Sequence, residues 1–131
     1  MPFKISSATD YPWTVSGELA GERWTMTARF RFLNQERIDE LLLKTYRRAY
    51  LLENGQDDPA LSDMTAINMA TEVLAGWEDV TDDDGEPVQF TAQRAAAWLR
   101  VQGVAAAVAT AWQESLQGAR RGNSKAPRGI G

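Results

Sequence analysis

The chain has 131 residues, 44% of them hydrophobic and 24% charged, which is the make-up of one globular domain. It contains no Cys and no His. That excludes disulfides, thiolate nucleophiles and zinc knuckles, and removes the usual neutral-pH general base and the commonest metal ligand.

Charge is uneven along the chain. Residues 1–118 hold every Asp and Glu and carry −8, while 119–131 add Arg120, Arg121, Lys125 and Arg128 for +4. We expect a single globular domain over 1–118 and a flexible basic tail over 119–131, because the tail has one large apolar residue, Ile130, to offset the entropy of ordering. The start, Met1-Pro2-Phe3-Lys4-Ile5-Ser6-Ser7, has no apolar h-region. The longest uncharged run, Val101 to Gln113, is 13 residues, short of the ~18 that a membrane span needs. An intracellular protein outside the membrane is expected.

In Glu22 to Phe32, Trp24, Met26, Ala28, Phe30 and Phe32 alternate with Arg23, Thr25, Thr27, Arg29 and Arg31, the period of a half-buried strand. Trp13, Val15 and Leu19 share one phase just before it, and Ala20-Gly21 supplies a turn. A β-hairpin over about residues 12–32 follows. Two strands alone are marginal, so its aromatic face needs helices or another chain against it.

Asn34 is a good N-cap, with Glu36 in the first turn, for a helix ending near Glu53-Asn54-Gly55. On its wheel Ile38, Leu41, Leu42, Ala49 and Leu52 form one stripe, which Leu43, Tyr46 and Tyr50 widen. The apolar arc is roughly 200°, twice that of an ordinary surface helix, so two sides need covering. Ser62 or Asp63 is expected to cap a second helix reaching about Ala75, with Ile67, Ala70, Val73, Leu74 and Trp77 at core spacing and Gly76 as its stop. Asp84-Gly85 marks a small acidic hairpin. Thr91 caps a helix through about Val101, Gly103 interrupts it, and a last Ala-rich helix runs from Val104 to about Gln117. Val101, Val104, Val108, Trp112 and Ser115 fall on one face of that region. The fold class is α+β and predominantly α-helical: an N-terminal β-hairpin, then about four helices with the acidic hairpin between them.

Glu78, Asp79, Asp82, Asp83, Asp84 and Glu86 raise the question of a Ca²⁺ loop. Aligned on Gly85, however, the EF-hand pattern puts Val80 and Thr91 at two of its four key positions, with Asp82 and Asp84 at the others. A solvated turn is the better reading, and no metal or cofactor is expected. Asp63 with Glu72, or Asp39 with Glu40, are carboxylate pairs of the kind acid–base work uses, and nothing separates them from surface charge. No G-x-S-x-G, P-loop or G-x-G-x-x-G occurs. We expect a chain without catalytic residues. Arg23, Arg29 and Arg31 interleave with aromatics, but strand alternation places the two sets on opposite faces, unlike a base-stacking platform. The five Trp residues, 13, 24, 77, 98 and 112, read as core. The excess apolar surface, on the wide arc of the helix from Asn34 with Leu43, Tyr46 and Tyr50 and at the edge of a two-stranded sheet, points to protein–protein association.

The stretch from Val73 to Thr91, with Trp77, Asp84, Gly85, Pro87, Phe90 and Thr91, resembles the signature of small tail assembly chaperones of tailed bacteriophages and prophages. In that pattern a helix ends in Trp, an acidic Gly-x-Pro hairpin follows, and a Phe-Ser/Thr pair caps the next helix. The likeness continues through Trp98-Leu99 and Val101-Gln102-Gly103-Val104-Ala105, giving usable detail over about 73–104. The resemblance implies a non-enzymatic factor in the cytoplasm of the bacterial host. Such a factor binds the tape measure protein, helps recruit tail tube protein, and is lost from the finished tail. It implies no cofactor, and self-association is left open. In many such families a frameshift adds a second domain to a minority of copies. The alternatives are a minor structural or connector tail protein kept in the virion, or a nucleic-acid-binding accessory protein using the basic tail.

Overall fold

The computed structural model describes the backbone of residues 8–121 and the side chains of 8–118. Strands β1 (Asp10–Leu19) and β2 (Glu22–Arg31) pair antiparallel in unbroken register, from Asp10 opposite Arg31 to Leu19 opposite Glu22. Their turn holds Ala20 at φ 54° and Gly21 at φ 84°, the doubly left-handed geometry whose twist matches a hairpin. The expected hairpin is therefore present, and the fold is α+β.

A third strand, β3 (Leu74–Glu78), lies on the other side of β2, giving the order β1-β2-β3. This corrects the expectation of a helix reaching Ala75 and stopped by Gly76. Helix α2 (Ala66–Val73) ends two residues earlier and the chain passes directly into the sheet. Arg29 pairs with Gly76 and Phe30 with Leu74, so Ala75 is an extra residue bulged out of the ladder. The bulge puts Leu74 and Trp77, three residues apart, on the face shared with Phe30 and Ala28. A strand thus acquires the apolar spacing of a helix.

The cap of α2 also differs from expectation. Asp58 caps a 3₁₀ turn, Pro59–Leu61, by accepting from the Ala60 N–H at 3.0 Å, and Leu61 is buried. Pro59 presets this turn, and the Ser62 N–H is used on the Pro59 carbonyl. The turn carries the chain past Ser62 and Asp63 before the helix begins, and Thr65 caps it, accepting from the Asn68 N–H at 3.1 Å. Ile67, placed in the core from spacing, is 44% exposed.

Helix α1 (Gln35–Glu53) starts where expected, with the Asn34 side chain accepting from the Arg37 N–H at 2.8 Å, and it gives way to Asn54 and Gly55. The acidic segment folds as a narrow turn. Thr81 bridges Pro87, and the Val88 N–H donates to the Val80 carbonyl at 2.8 Å. Helix α3 (Ala92–Leu99) is capped by Thr91 through the Arg94 N–H at 3.0 Å. It stops at Leu99 rather than Val101. Val101 is exposed, a correction to its placement on the core face, whereas Val104, Val108, Trp112 and Ser115 are buried as expected. Helix α4 (Val104–Arg121) takes in residues 119–121 of the expected tail, and residues 122–131 lie outside those described.

The core fills one face of the sheet. Val15, Ala28, Phe30 and Leu74 meet Met69, Ala70 and Val73 of α2, Leu99 of α3, and Val108 and Trp112 of α4. The Ser115 hydroxyl is fully buried, donates to the Trp112 carbonyl at 2.6 Å and lies 2.8 Å from the Tyr11 hydroxyl, tying β1 to α4. Burial raises the Tyr11 phenol above its ordinary pKa. Trp13 lies across Gly118 of α4, where an added Cβ would meet its ring at 2.4 Å.

Helix α1 is held more lightly than the others. Leu41 is its one fully buried side chain among the described residues, with Ile38 and Leu42 packed beside it. Arg37 then forks onto Glu72 of α2 with both bonds at 2.6 Å and also meets Glu40, while Arg48 donates to the Met64 carbonyl at 3.3 Å. Hydrogen bonding to Arg37 holds the Glu72 carboxyl below its usual range.

Two outcomes follow from these contacts. Gly to Ala in a helix ordinarily stabilises by about 1 kcal/mol; at Gly118 the clash with Trp13 reverses the sign, and Gly118→Ala should lose about 1–2 kcal/mol in urea unfolding. An unchanged or raised midpoint would show that Trp13 does not seal this contact. For Glu72, a lowered folded-state pKa means its contribution is complete above the unfolded value of 4.5 and fades as pH falls through the folded value. Glu72→Gln should therefore be less stable than the parent at neutral pH, with the gap closing in the acid range below 4.5. A gap that stays constant into acid would remove the ion pair from the account of how α1 is docked.

Candidate interaction surface

Among the described residues two apolar surfaces bear on function, and they lie toward opposite ends of α4. The first is on α1. Leu43, Tyr46 and Tyr50 are exposed to 69%, 60% and 63%. The wide apolar arc led us to expect cover on two sides of this helix. Instead the Ile38, Leu41 and Leu42 side is docked, and the Leu43, Tyr46 and Tyr50 side faces outward. Tyr46 also edges an open groove of about 570 Å³ between α1 and the second half of α4, beside Leu42 and Leu116.

The second surface lies where β2, the acidic turn and α3 meet. Trp77 of β3 stands edge-on to Phe90 at 4.9 Å and to Trp98 at 5.8 Å between ring centroids, and Trp98 stands edge-on to Trp24 at 5.9 Å. Edge-to-face contact suits aromatic quadrupoles and fixes the rings in a row. The Trp77 indole N–H donates to the Val88 carbonyl at 2.8 Å, pinning the acidic turn to the sheet. Beside this row opens a groove of about 560 Å³ walled by Trp24, Met26, Trp98, Val80 and Val88, with Val104 of α4 at its end. Among the charged residues only Arg94 lines it, and its guanidinium donates to the Gln89 carbonyl at 2.9 Å.

The residues carrying the family-like pattern are thus drawn into one structural unit. Trp77 and Phe90 are in ring contact, and Thr91 caps α3. Gly85 takes φ 80° at the turn, and Pro87 bridges Thr81. Asp84 sits at the tip, where its N–H and that of Glu86 both donate to the Asp82 carboxylate, at 2.9 and 3.0 Å. Trp77 does not end a helix as the pattern implies, because β3 intervenes. Leu43, Tyr46 and Tyr50 are not brought to this unit. The two positions that departed from the Ca²⁺ pattern have other tasks, Val80 walling the groove and Thr91 capping α3. Among the described residues no three acidic side chains converge as a metal site.

The opposite face of the sheet is polar. Arg29 reaches Asp10 of β1 at 2.6 Å and Glu78 of β3 at 2.5 Å, so one guanidinium spans all three strands. It holds the Asp10 carboxyl below its usual range, chiefly by hydrogen bonding. Arg31 donates to the carbonyls of Glu72 and Leu74 at 3.2 and 3.3 Å. Two of the three cations on this face are therefore used inside the fold. Sequence reasoning missed the Trp-lined groove, although the phase of Trp24 and Met26 with Leu19, at the turn end of the hairpin, marks apolar surface beyond the reach of a short helix. Among the described residues no helix is long and apolar enough to cross a membrane.

No curated protein and no solved structure matches the chain. The family model described as YdaY prophage protein matches residues 26–121. That match runs from the middle of β2 through α1 to α4 and takes in the α1 stripe and the Trp-lined groove apart from Leu19, Trp24 and Thr25, so the chain belongs to the YdaY prophage protein family.

Proposed function

We propose that this prophage protein is a non-enzymatic tail assembly chaperone that binds the tape measure protein and helps recruit tail tube subunits in the host cytoplasm. The observation that carries this reading is the outward stripe of Leu43, Tyr46 and Tyr50 on a long, lightly docked helix. A chaperone for a long amphipathic chain needs apolar surface held open on a folded body, and helix-on-helix docking uses anchors at this spacing. The Trp77 to Thr91 unit supports the same reading through its likeness to the tail assembly chaperones. The Trp-lined groove is apolar, with Arg94 the one charged residue on its lining among the described residues, which fits binding better than bond-breaking chemistry.

The test is co-expression with the tape measure protein of the same prophage, followed by co-purification. The parent chain should hold the partner soluble, and Tyr46→Asp or Tyr50→Asp should weaken the complex at least about tenfold. The circular dichroism of both variants should be unchanged, because both residues are exposed. If either variant unfolds, the stripe is core rather than interface. Purified particles should lack the protein; its presence in them would favour a structural or connector role.

A further inference from the structure

The α1 stripe has a second property, which is its fit to itself. Asp39, Leu43, Tyr46 and Tyr50 recur at the alternating four- and three-residue spacing of a coiled-coil seam. This seam points directly away from Leu41, the buried anchor of the helix. Its charges are polarised. Glu36 and Asp39 stand at the N-terminal end of the seam and Arg47 flanks its second half. Asp39 accepts only from its neighbour Gln35, at 2.8 Å, and Arg47 has no ion-pair partner among the described residues.

We infer that a second copy of this chain docks on the stripe, the two α1 helices running antiparallel about a two-fold axis at Leu43. In that register Leu43 meets Leu43, and each Asp39 faces the Arg47 of the other copy. Each Glu36 faces the phenol of Tyr50. Asp39 and Arg47 are separated by about 12 Å along one helix, far enough that neither satisfies the other within a chain. Between chains both are satisfied, twice over, by the symmetry. Antiparallel packing also opposes the helix dipoles favourably, and the bodies sit on opposite sides of the seam because α1 docks by its opposite face. This pairing does not depend on the identity of the tail partner.

The experiment is sedimentation of the full chain at loading concentrations from roughly 1 to 500 µM, with charge reversals at the two exposed positions. The parent should pass from monomer to dimer, less readily at high salt. Asp39→Arg and Arg47→Asp should each keep the parent's circular dichroism and bind themselves at least about tenfold more weakly, since like charges then meet. Mixed together, the two should form a heterodimer, because one helix now offers two cations and the other two anions. The double variant should recover self-association. A parent that stays monomeric throughout overturns the pairing and leaves the stripe to a different protein. Single variants that dimerise like the parent, or that fail to combine when mixed, overturn the register.

Discussion

The row Trp13, Ala28, Trp77 across the three strands is the constraint on which the rest of the structure depends. Ala28 is fully buried at the centre of the sheet, with Trp13 opposite it on β1 and Trp77 opposite it on β3. A small central residue leaves room for two large ones to lean outward, each toward a different helix. Trp13 seals against Gly118 near the end of α4, and Trp77 meets Trp98 of α3. One methyl group therefore decides where both helices pack, and a larger side chain at this position would displace both indoles at once. On the other face Arg29 repeats the arrangement in ionic form, joining Asp10 and Glu78 across the same three strands.

How much of this was legible in the sequence follows from how local each cause is. The β1–β2 hairpin, the Asn34 and Thr91 caps and the Gly85 turn rest on residues within a few positions of one another, and all could be read. The third strand could not. Its partner Ala28 is 49 residues away from Trp77, and the bulge at Ala75 disguised its alternation as helical spacing. The α2 cap was misread for a related reason: Ser62 and Asp63 are good caps in isolation, but Pro59 had already committed the chain to a tighter turn. Leu43, Tyr46 and Tyr50 were found from the width of the apolar arc. The Trp-lined groove was not, because it is assembled from β2, the acidic turn and α3, which no local pattern connects.

The two surfaces differ in how they are supported. The Trp-lined groove sits on a row of interlocked rings, with Trp77 hydrogen bonded to the turn that forms its wall. Its shape is set before any ligand arrives, so binding there carries little ordering cost. Helix α1 is the reverse. One fully buried leucine and an ion pair to Glu72 hold its first half, and its second half, from Tyr46 onward, has no fully buried side chain. A helix docked this way keeps its own backbone bonds while its attachment yields, which suits the long partner proposed for it.

The proposed pairing and the proposed chaperone activity draw on the same three side chains, and that overlap has a consequence. A stripe covered by a second copy is withheld from other apolar surfaces until a partner competes for it. The affinity seen by that partner is then reduced by the fraction of chains that are paired. The seam suits this because its specificity lies in charge as much as in apolar area: Asp39 against Arg47 selects the antiparallel copy, whereas the leucine and the two tyrosines would accept any amphipathic helix. A partner helix without the matching charges displaces the second copy only by burying more apolar surface than the single Leu43, Tyr46 and Tyr50 stripe of that copy offers. Self-pairing of this kind keeps a folded apolar stripe from promiscuous contact, and a longer helix is the one competitor it is built to lose to.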